Sequence, residues 1–227
     1  LCPQADERMN DPSDRDARPY SQPLSKQRQS YGQDQALTTR QLEDRRLIHR
    51  HESVRKHADA FRELRTRLLA LSGSLHGENR NFVTLVAPVR HGCGGSFVAR
   101  NLAAAFAFDE SKQALLIDCD ATHPAQGDAL RVAAENGGLI DYLEDESITL
   151  SDIVDPTGIP RLQLIPCGRS RETPGESFSS FRMHAMIDSL RAHQGNRHLI
   201  LDGSPVQGSP DARILSDLAD LVVLVVG

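Results

Sequence analysis

The fold of this chain is decided by one stretch, Phe82-Val-Thr-Leu-Val-Ala-Pro-Val-Arg-His-Gly-Cys-Gly-Gly-Ser-Phe97. Residues 82–88 are a short apolar run that predicts a buried strand. A glycine-rich turn follows, and the apolar, alanine-rich segment 96–108 favours a helix. A strand, a glycine-rich turn and a helix in this order can bind an anion, because the N–H groups of the turn and the positive end of the helix dipole face one point.

The sequence beyond this stretch continues to alternate between strands and helices. Further strands are predicted at 114–120, 162–168, 198–205 and 221–226, with helices near 138–145, 176–193 and 211–218 and a turn at 155–160. Short apolar strands separated by helices indicate a parallel sheet covered by helices on both faces. We therefore predict an α/β domain over residues 73–227, with any ligand at the carboxyl ends of its strands.

Two segments of different character precede this domain. Residues 1–35 are predicted to be a disordered tail, because they carry too few apolar residues to offset the entropy of ordering. Residues 36–72 are predicted to be a helical segment, since apolar residues recur at steps of three and four over 54–71. Gly73 and Gly77 are expected to end that helix. The chain starts without Met and stops after an apolar run, so we interpret both ends as cut.

The bulk composition excludes several classes of protein. A net charge of −5 over 227 residues argues against a nucleic-acid binder. The longest apolar run is too short to cross a bilayer, and we expect no signal peptide in the N-terminal segment of this sequence. The cysteines lack zinc-binding spacing and are interpreted as free thiols of a cytoplasmic protein, with a redox pair of Cys93 and Cys119 as the alternative.

The glycine-rich turn is similar to the phosphate loop of ATP-binding proteins, the P-loop, whose motif ends in Gly-Lys-Ser/Thr. Gly92, Gly94 and Ser96 fit that motif, but Gly95 stands where the lysine belongs. The lysine supplies hydrogen bonds worth about 1.5–3 kcal/mol each. Arg90 is the candidate substitute, because a guanidinium binds phosphate well. The residues predicted to bind ATP or ADP are Gly92, Cys93, Gly94, Gly95, Ser96 and Phe97.

Other interpretations of the turn remain open. A dinucleotide site needs G-x-G-x-x-G and an acidic residue about twenty positions later. Gly92, Gly94 and Asp118 fit that pattern, but Phe97 occupies the position of the third glycine. The turn could also bind nothing, with Arg90 as a solvated loop residue.

Acidic residues end two of the predicted strands. Asp118 and Asp120 end the second strand, on the same side of it, and Asp202 ends the fourth. In a P-loop site such carboxylates hold Mg²⁺ together with the serine of the loop. We predict a metal site formed by Ser96, Asp118 and Asp202. The predicted catalytic residues are Asp118, Asp120 and Arg90, and the alternative for each aspartate is a helix N-cap.

Residues 58–227 resemble the bacterial tyrosine kinases of capsule and exopolysaccharide synthesis. Asp118-Cys-Asp120-Ala-Thr-His-Pro124 is similar to the second acidic motif of that family, D-x-D-x-R-x-P, with Thr122 in place of the arginine. Residues 173–180 resemble its P-x-E-L-L-S-S stretch, and residues 202–212 resemble its third acidic motif. The segment Asp59-Ala-Phe-Arg62-Glu-Leu-Arg65 resembles the family's E-x-x-R-x-x-R helix.

The resemblance implies a cytoplasmic protein at the inner face of the plasma membrane, partnered by a membrane polysaccharide co-polymerase or chain-length regulator. It implies ATP and Mg²⁺ as cofactors and a homo-oligomer formed through Asp59, Arg62 and Arg65. The alternative for that helix is an ordinary surface helix with local ion pairs. Gly95 and Thr122 each replace a charged residue, so we expect a regulator with weakened or lost tyrosine-kinase activity. The alternatives are an active ATP-dependent tyrosine autokinase and a Min- or Par-type positioning ATPase.

Overall fold

The structure, a computed structural model, describes residues 37–49, 55–76, 81–169, 175–192 and 196–227. The tail predicted at 1–35 lies outside these ranges. The helices within them are α1 (Thr39–Asp44), α2 (Arg55–His76), α3 (Gly95–Ala107), α4 (Gln126–Leu130), α5 (Leu139–Glu144), α6 (Leu150–Ile153), α7 (Gly175–Phe178), α8 (Phe181–Ala192) and α9 (Asp211–Ser216). None of these helices has both the length and the apolar character that a membrane crossing requires. The strands are β1 (Val83–Pro88), β2 (Gln113–Asp118), β3 (Asp155–Pro156), β4 (Leu162–Ile165), β5 (Arg197–Asp202) and β6 (Leu221–Val225).

A single sheet lies at the centre of the described residues. Its strand order is β3-β4-β2-β5-β1-β6, and every neighbouring pair is parallel except β3 and β4. The predicted α/β fold with a mainly parallel sheet is thus confirmed. The turn predicted at 155–160 is present at residues 158–160, but the first two residues of that range form the short antiparallel strand β3. Proline has no N–H to donate to a neighbouring strand. Pro156 is compatible with β3 because β3 lies at the edge of the sheet, where one side of the strand has no partner.

Helices bury both faces of the sheet. On one face α3 packs against β1, β2 and β5, and its Ala103 and Phe106 are fully buried. On the other face Leu85 of β1 and Leu215 of α9 meet beside Gly203. Because β5 pairs with both β1 and β2, the carboxyl ends of these three strands lie side by side. The turn after β1 and the aspartates that end β2 and β5 are therefore brought to one edge of the sheet.

The segment 36–72 contains two helices, α1 and α2, rather than one. Asn101 of α3 holds the chain between them: its Oδ1 accepts from Ile48 N at 2.7 Å, and its Nδ2 donates to Arg46 O at 3.2 Å. The expectation that Gly73 ends the helix is wrong, since α2 continues through it. A glycine inside a helix costs about 1 kcal/mol, and the apolar stripe of α2 packs into the same core as α3, which offsets that cost.

The helix predicted at 176–193 is divided into α7 and α8. Ser180 Oγ accepts a hydrogen bond from Met183 N at 3.2 Å. A serine that bonds the third residue after it is an N-cap, which starts a new helix. The sequence pattern of apolar residues runs through both helices and does not reveal this break.

Candidate functional site

The turn between β1 and α3 has the backbone conformation of an anion-binding loop. Gly92 (φ 82°) and Gly94 (φ 87°) both lie in the left-handed region, which glycine adopts without strain. A Cβ added at either position would meet no atom within 4 Å, so the space beside both glycines is open. Gly94 is the N-cap of α3, and no side chain caps this helix. The first N–H groups of α3 are therefore available to an anion.

Gly95, in the lysine position of the motif, has no room for a side chain. It is the buried first residue of α3, and a Cβ built on it would lie 2.7 Å from both Cδ and Cγ of Pro88. Two carbon atoms do not pack this closely, and the proline ring has no rotamer that removes it from the contact. The residue that ends β1 thus fills the space that the first atom of a lysine side chain would need.

The other predicted residues of the turn make contacts of different kinds. Hydrogen bonds from the Arg90 and Gly227 backbones and from the Arg90 guanidinium hold the pKa of the Cys93 thiol below its ordinary value. The Arg90 side chain therefore lies beside Cys93. The Phe97 ring packs edge to face on Phe61 of α2, with 6.0 Å between ring centroids. Only the backbone of Phe97 is thus left to serve the predicted cofactor site.

Three cysteines within the described ranges, Cys93, Cys119 and Cys167, are free thiols, as predicted. Burial raises the pKa of Cys119 and of Cys167 well above the ordinary value, so both stay protonated at neutral pH. Cys93 lies in the turn and is only partly buried. The three thiols differ in environment, and the pair of Cys93 and Cys119 is not bonded.

Asp118 and Asp120 lie at one edge of the sheet, but only Asp118 belongs to β2. The prediction that this strand extends to 120 is wrong, because the chain curls around Asp118 after that residue. The N–H groups of Asp120, Ala125 and Gln126 donate to the Asp118 carboxylate at 3.3, 3.1 and 3.0 Å. Asp120 Oδ1 in turn accepts from His123 N at 3.1 Å. These hydrogen bonds fix the loop that follows β2.

Asp202 ends β5 and is paired in register with Asp118 of β2. The completely buried side chain of Gln126 connects it to the turn after β1. Gln126 Nε2 donates to Asp202 Oδ2 at 2.5 Å and to Ser96 O at 3.0 Å. The structure therefore brings together the three residues of the predicted metal site, Ser96, Asp118 and Asp202, and places an amide group among them.

The two buried carboxylates resist ionisation. Burial, followed by repulsion from Asp118, raises the pKa of Asp202 to about 7. Burial also raises the pKa of Asp118 to about 6, against the opposing effect of its three backbone hydrogen bonds. Asp202 Oδ1 is buried without a hydrogen bond, and the Ser96 hydroxyl is near enough to lower the Asp202 pKa. An unpaired buried carboxylate oxygen next to a hydroxyl is a place where a cation would be stabilised.

Arg100 and Gln126 belong to this site although the sequence reasoning missed both. Arg100 Nε donates to Ser96 O at 3.0 Å. Burial lowers the pKa of Arg100, whereas the charges of Asp202 and Asp118 raise it. The position of Arg100 one helical turn after Ser96 is a signal that could have revealed it. Gln126 carries no such signal, because glutamine is usually a surface residue.

The three residues of the predicted oligomer contact have different environments. Asp59 and Arg62 form an ion pair at 2.6 Å within α2, and their side chains are 57% and 50% exposed. Arg65 is 19% exposed and lies near Asp109. Its Nη1 donates to Ala105 O at 2.8 Å, which ties α2 to α3. Asp59 and Arg62 are therefore accessible to another molecule, while Arg65 holds the helix in place.

Comparisons with known proteins identify relatives of this chain. No protein-family model matches it. It is similar to tyrosine-protein kinase CpsD of Streptococcus agalactiae, at 27% identity over 172 residues that cover 76% of this chain and 71% of the relative. It is also similar to the BceF tyrosine kinase domain, at 26% identity and a TM-score of 0.62, with 74% of this chain and 63% of that chain covered.

Other solved structures share the fold at lower identity. The kinase domain of the Escherichia coli tyrosine kinase ETK has a TM-score of 0.66 at 22% identity, covering 84% of this chain and 74% of that chain. The cell division ATPase MinD of Pyrococcus furiosus has a TM-score of 0.53 at 20% identity, covering 64% of this chain and 59% of that chain. At these identities the likeness concerns the fold alone, and these proteins share the arrangement of sheet and helices with this chain. The chain is a homologue of the tyrosine-protein kinase CpsD, and it has the fold of bacterial tyrosine-kinase domains.

Proposed function

We propose that this chain is a regulator of capsule or exopolysaccharide synthesis that has kept the tyrosine-kinase fold while its kinase activity is weakened or lost. The observation that carries the proposal is the contact of Pro88 with Gly95, where a Cβ would lie 2.7 Å from the proline ring. The site has thus lost the lysine and also the room for one. In a P-loop site that lysine stabilises the phosphates through bonds of about 1.5–3 kcal/mol each, and its charge matters more in the transition state.

A nucleotide with Mg²⁺ fits the residues of this site only in part. The open turn at Gly92 and Gly94 and the uncapped start of α3 suit a phosphate group. On the metal side, Asp202 Oδ1 and the Ser96 hydroxyl suit a cation, but Asp202 Oδ2 accepts from Gln126 Nε2. Mg²⁺, when bound, supplies charge neutralisation to a transferring phosphoryl group. In this chain the Gln126 amide already places partial positive charge against the carboxylate that would hold the ion.

The partners and location that we propose follow from the resemblance to the capsule and exopolysaccharide kinases. The chain acts in the cytoplasm at the inner face of the plasma membrane, through a membrane polysaccharide co-polymerase or chain-length regulator. It forms a homo-oligomer through the outer surface of α2. The exposed Asp59 and Arg62 support this contact, and Arg65 contributes by fixing the helix to the sheet domain.

The proposal is tested by measuring phosphate transfer from radiolabelled ATP to tyrosine in the purified chain with Mg²⁺. The matched control is Asp120→Asn, which removes a predicted catalytic carboxylate. We expect the parent chain to incorporate little or no label above the background of the control. Incorporation in the parent at the rate of an active tyrosine kinase, abolished in Asp120→Asn, would overturn the proposal.

The regulatory half of the proposal needs a separate measurement in cells. In a strain that lacks this chain, we expect the parent chain and Asp120→Asn to restore polysaccharide length and amount equally. Restoration by the parent alone would mean that the chemistry of Asp120 is needed. Restoration by neither would exclude a role in polysaccharide synthesis.

An active ATP-dependent autokinase is the second candidate function. The grouping of Asp118 and Asp202 around Ser96 favours it, because these are the residues that would hold Mg²⁺. In this case Arg90 or a cation from a neighbouring subunit supplies the positive charge that a lysine at position 95 would carry. Loss of labelling in Arg90→Ala would support it. A Min- or Par-type ATPase is not proposed, because the similarity to MinD concerns the fold alone.

A further inference from the structure

We propose that His91, Asp120 and His123 form a binding site for a divalent transition metal ion beside the phosphate loop, residues 88–96. His91 belongs to this loop, and the other two residues follow β2. One nitrogen or oxygen atom from each residue can be chosen so that all three lie within 4.8 Å of one another. Neither histidine was among the residues predicted for the Mg²⁺ site, and Asp120 was predicted there as a catalytic carboxylate.

The ligand types favour a transition metal over magnesium. Two imidazole nitrogens and one carboxylate oxygen make a donor set that suits Zn²⁺, Fe²⁺ or Co²⁺, whereas Mg²⁺ prefers oxygen ligands. Three protein ligands leave at least one position of the metal open to solvent, as in catalytic rather than structural zinc sites. Bonds of about 2.0–2.2 Å require the three atoms to approach a little more closely than they do here. Both histidine side chains are exposed, so small rotations of the rings accomplish this.

Parts of the site are already held in place. Asp120 Oδ1 accepts from His123 N at 3.1 Å and from Ser204 Oγ at 3.4 Å. These bonds orient the carboxylate and leave Oδ2 without a hydrogen bond among the described residues. The rings of His91 and His123 pack edge to face, with 4.6 Å between their centroids. Hydrogen bonds to a ligand's second oxygen orient it for a metal and raise affinity.

The site lies next to the phosphate loop, so a bound ion would change the charge beside that loop. His91 directly precedes Gly92, whose backbone is part of the open anion-binding turn. A bound divalent ion would bring two positive charges next to a turn that lacks its lysine. This inference does not depend on the proposed function, because the three ligands would bind the ion whether or not the chain is a kinase.

The test is a titration of the tag-free, metal-free full chain with Co²⁺, followed by its visible absorption, and with Zn²⁺, followed by calorimetry. We expect one saturable site per chain and a Zn²⁺-dependent rise in melting temperature. His91→Ala and His123→Ala should each weaken binding at least 10-fold, in line with the effect of losing even an orienting partner. His184→Ala, which removes an exposed histidine of α8, should bind as the parent does.

Two results would overturn the proposal. One is the absence of saturable Co²⁺ and Zn²⁺ binding by the parent chain. The other is binding that persists unchanged in the double variant of His91 and His123, because the ion would then be held elsewhere. Melting curves recorded without metal check that the variants are folded, and the exposure of both rings leads us to expect unchanged curves.

Discussion

The two halves of the candidate site differ in how fully they match the predicted pattern. On the phosphate side, Gly95 stands in the lysine position and Pro88 fills the space beside it. On the carboxylate side, Asp118 and Asp202 remain at the ends of adjacent strands, in register. Burial opposes the ionisation of both carboxylates despite their hydrogen bonds, so the aspartates are the part of the site that costs stability at and above neutral pH. The chain therefore has the aspartates of the costly half in place and lacks the lysine of the other half.

The two halves also differ in how the free-energy cost of holding their residues in place is offset. The turn needs no compensation, because its glycines adopt their backbone conformation without strain and its N–H groups reach solvent. The carboxylates are compensated from within the chain by Gln126, by three backbone N–H groups and by the charge of Arg100. A carboxylate cluster that is largely compensated by its own protein can serve as a structural element without a ligand.

The largest effect on the free energy of unfolding is expected for Asp202→Asn, which tests whether the buried Asp202 carboxylate destabilises the folded chain. The folded chain raises the Asp202 pKa to about 7, above the ordinary value of about 3.9, so the folded state binds the proton more tightly. Stability from this group is therefore fully present below the unfolded pKa of about 3.9 and is lost progressively as pH rises through the folded pKa of about 7. Asparagine carries no charge and keeps an acceptor for Gln126, so we expect a gain on the order of 2 kcal/mol at pH 8 in chelator.

The pH dependence is the control for this variant. The difference in free energy of unfolding between Asp202→Asn and the parent should shrink as the pH is lowered from 8 to 5 in urea titrations. A variant that is less stable than the parent at pH 8 would contradict the idea that the carboxylate half costs stability. It would imply that an ion or another group stabilises the charged Asp202.

The second effect concerns the phosphate half and uses Gly95→Ala. The added Cβ would lie 2.7 Å from the Pro88 ring, and overpacking of this kind costs about 1–3 kcal/mol. In the background Pro88→Ala the clash is gone, and alanine is a better helix former than glycine by up to about 1 kcal/mol. We therefore expect the sign of the Gly95→Ala effect to reverse between the two backgrounds in urea unfolding. Equal effects would mean that Pro88 does not close the position.

A smaller effect is expected for Arg100→Gln, which removes a cation that bonds to Ser96 O and interacts through its charge with Asp118 and Asp202. The charge of Arg100 favours ionised Asp118 and Asp202, so its loss should destabilise the chain where these groups are ionised. For a partly buried pair we expect about 0.5–1 kcal/mol at pH 8, and less at pH 5, where the carboxylates are protonated. An effect of equal size at both pH values would assign Arg100 to packing instead.

The smallest effect on stability is expected for Arg62→Glu, a charge outside both halves. Its exposed pair with Asp59 contributes less than about 0.5 kcal/mol. The informative readout is molar mass by light scattering: if α2 forms the oligomer contact, the variant should be smaller than the parent. Arg65 is unsuitable for this test because it bonds to α3, and a change there would disturb the fold. Equal masses would leave α2 as an ordinary surface helix.

The sequence alone predicts that the turn after β1 lies close to Asp118 and Asp202, because the carboxyl ends of parallel strands share one edge of the sheet. The sequence does not predict contacts that depend on how side chains pack in three dimensions. Pro88 and Gly95 are only seven positions apart, but no sequence pattern shows that the proline ring packs against the position of a Gly95 Cβ. Gln126 reaches Asp202 across 76 positions, and no local pattern marks a glutamine as buried. The edge strand β3 is too short for periodicity to detect.

The measurement that tests the central claim most directly is calorimetry of Mg-ADP binding to the parent chain and to the double variant Pro88→Ala, Gly95→Lys. If Pro88 closes the lysine position and the remainder of the pocket persists, the parent should give no binding heat at millimolar nucleotide, and the double variant should gain saturable binding that Gly95→Lys alone does not. Micromolar binding of Mg-ADP by the parent would contradict the account, because the site would then function without the lysine.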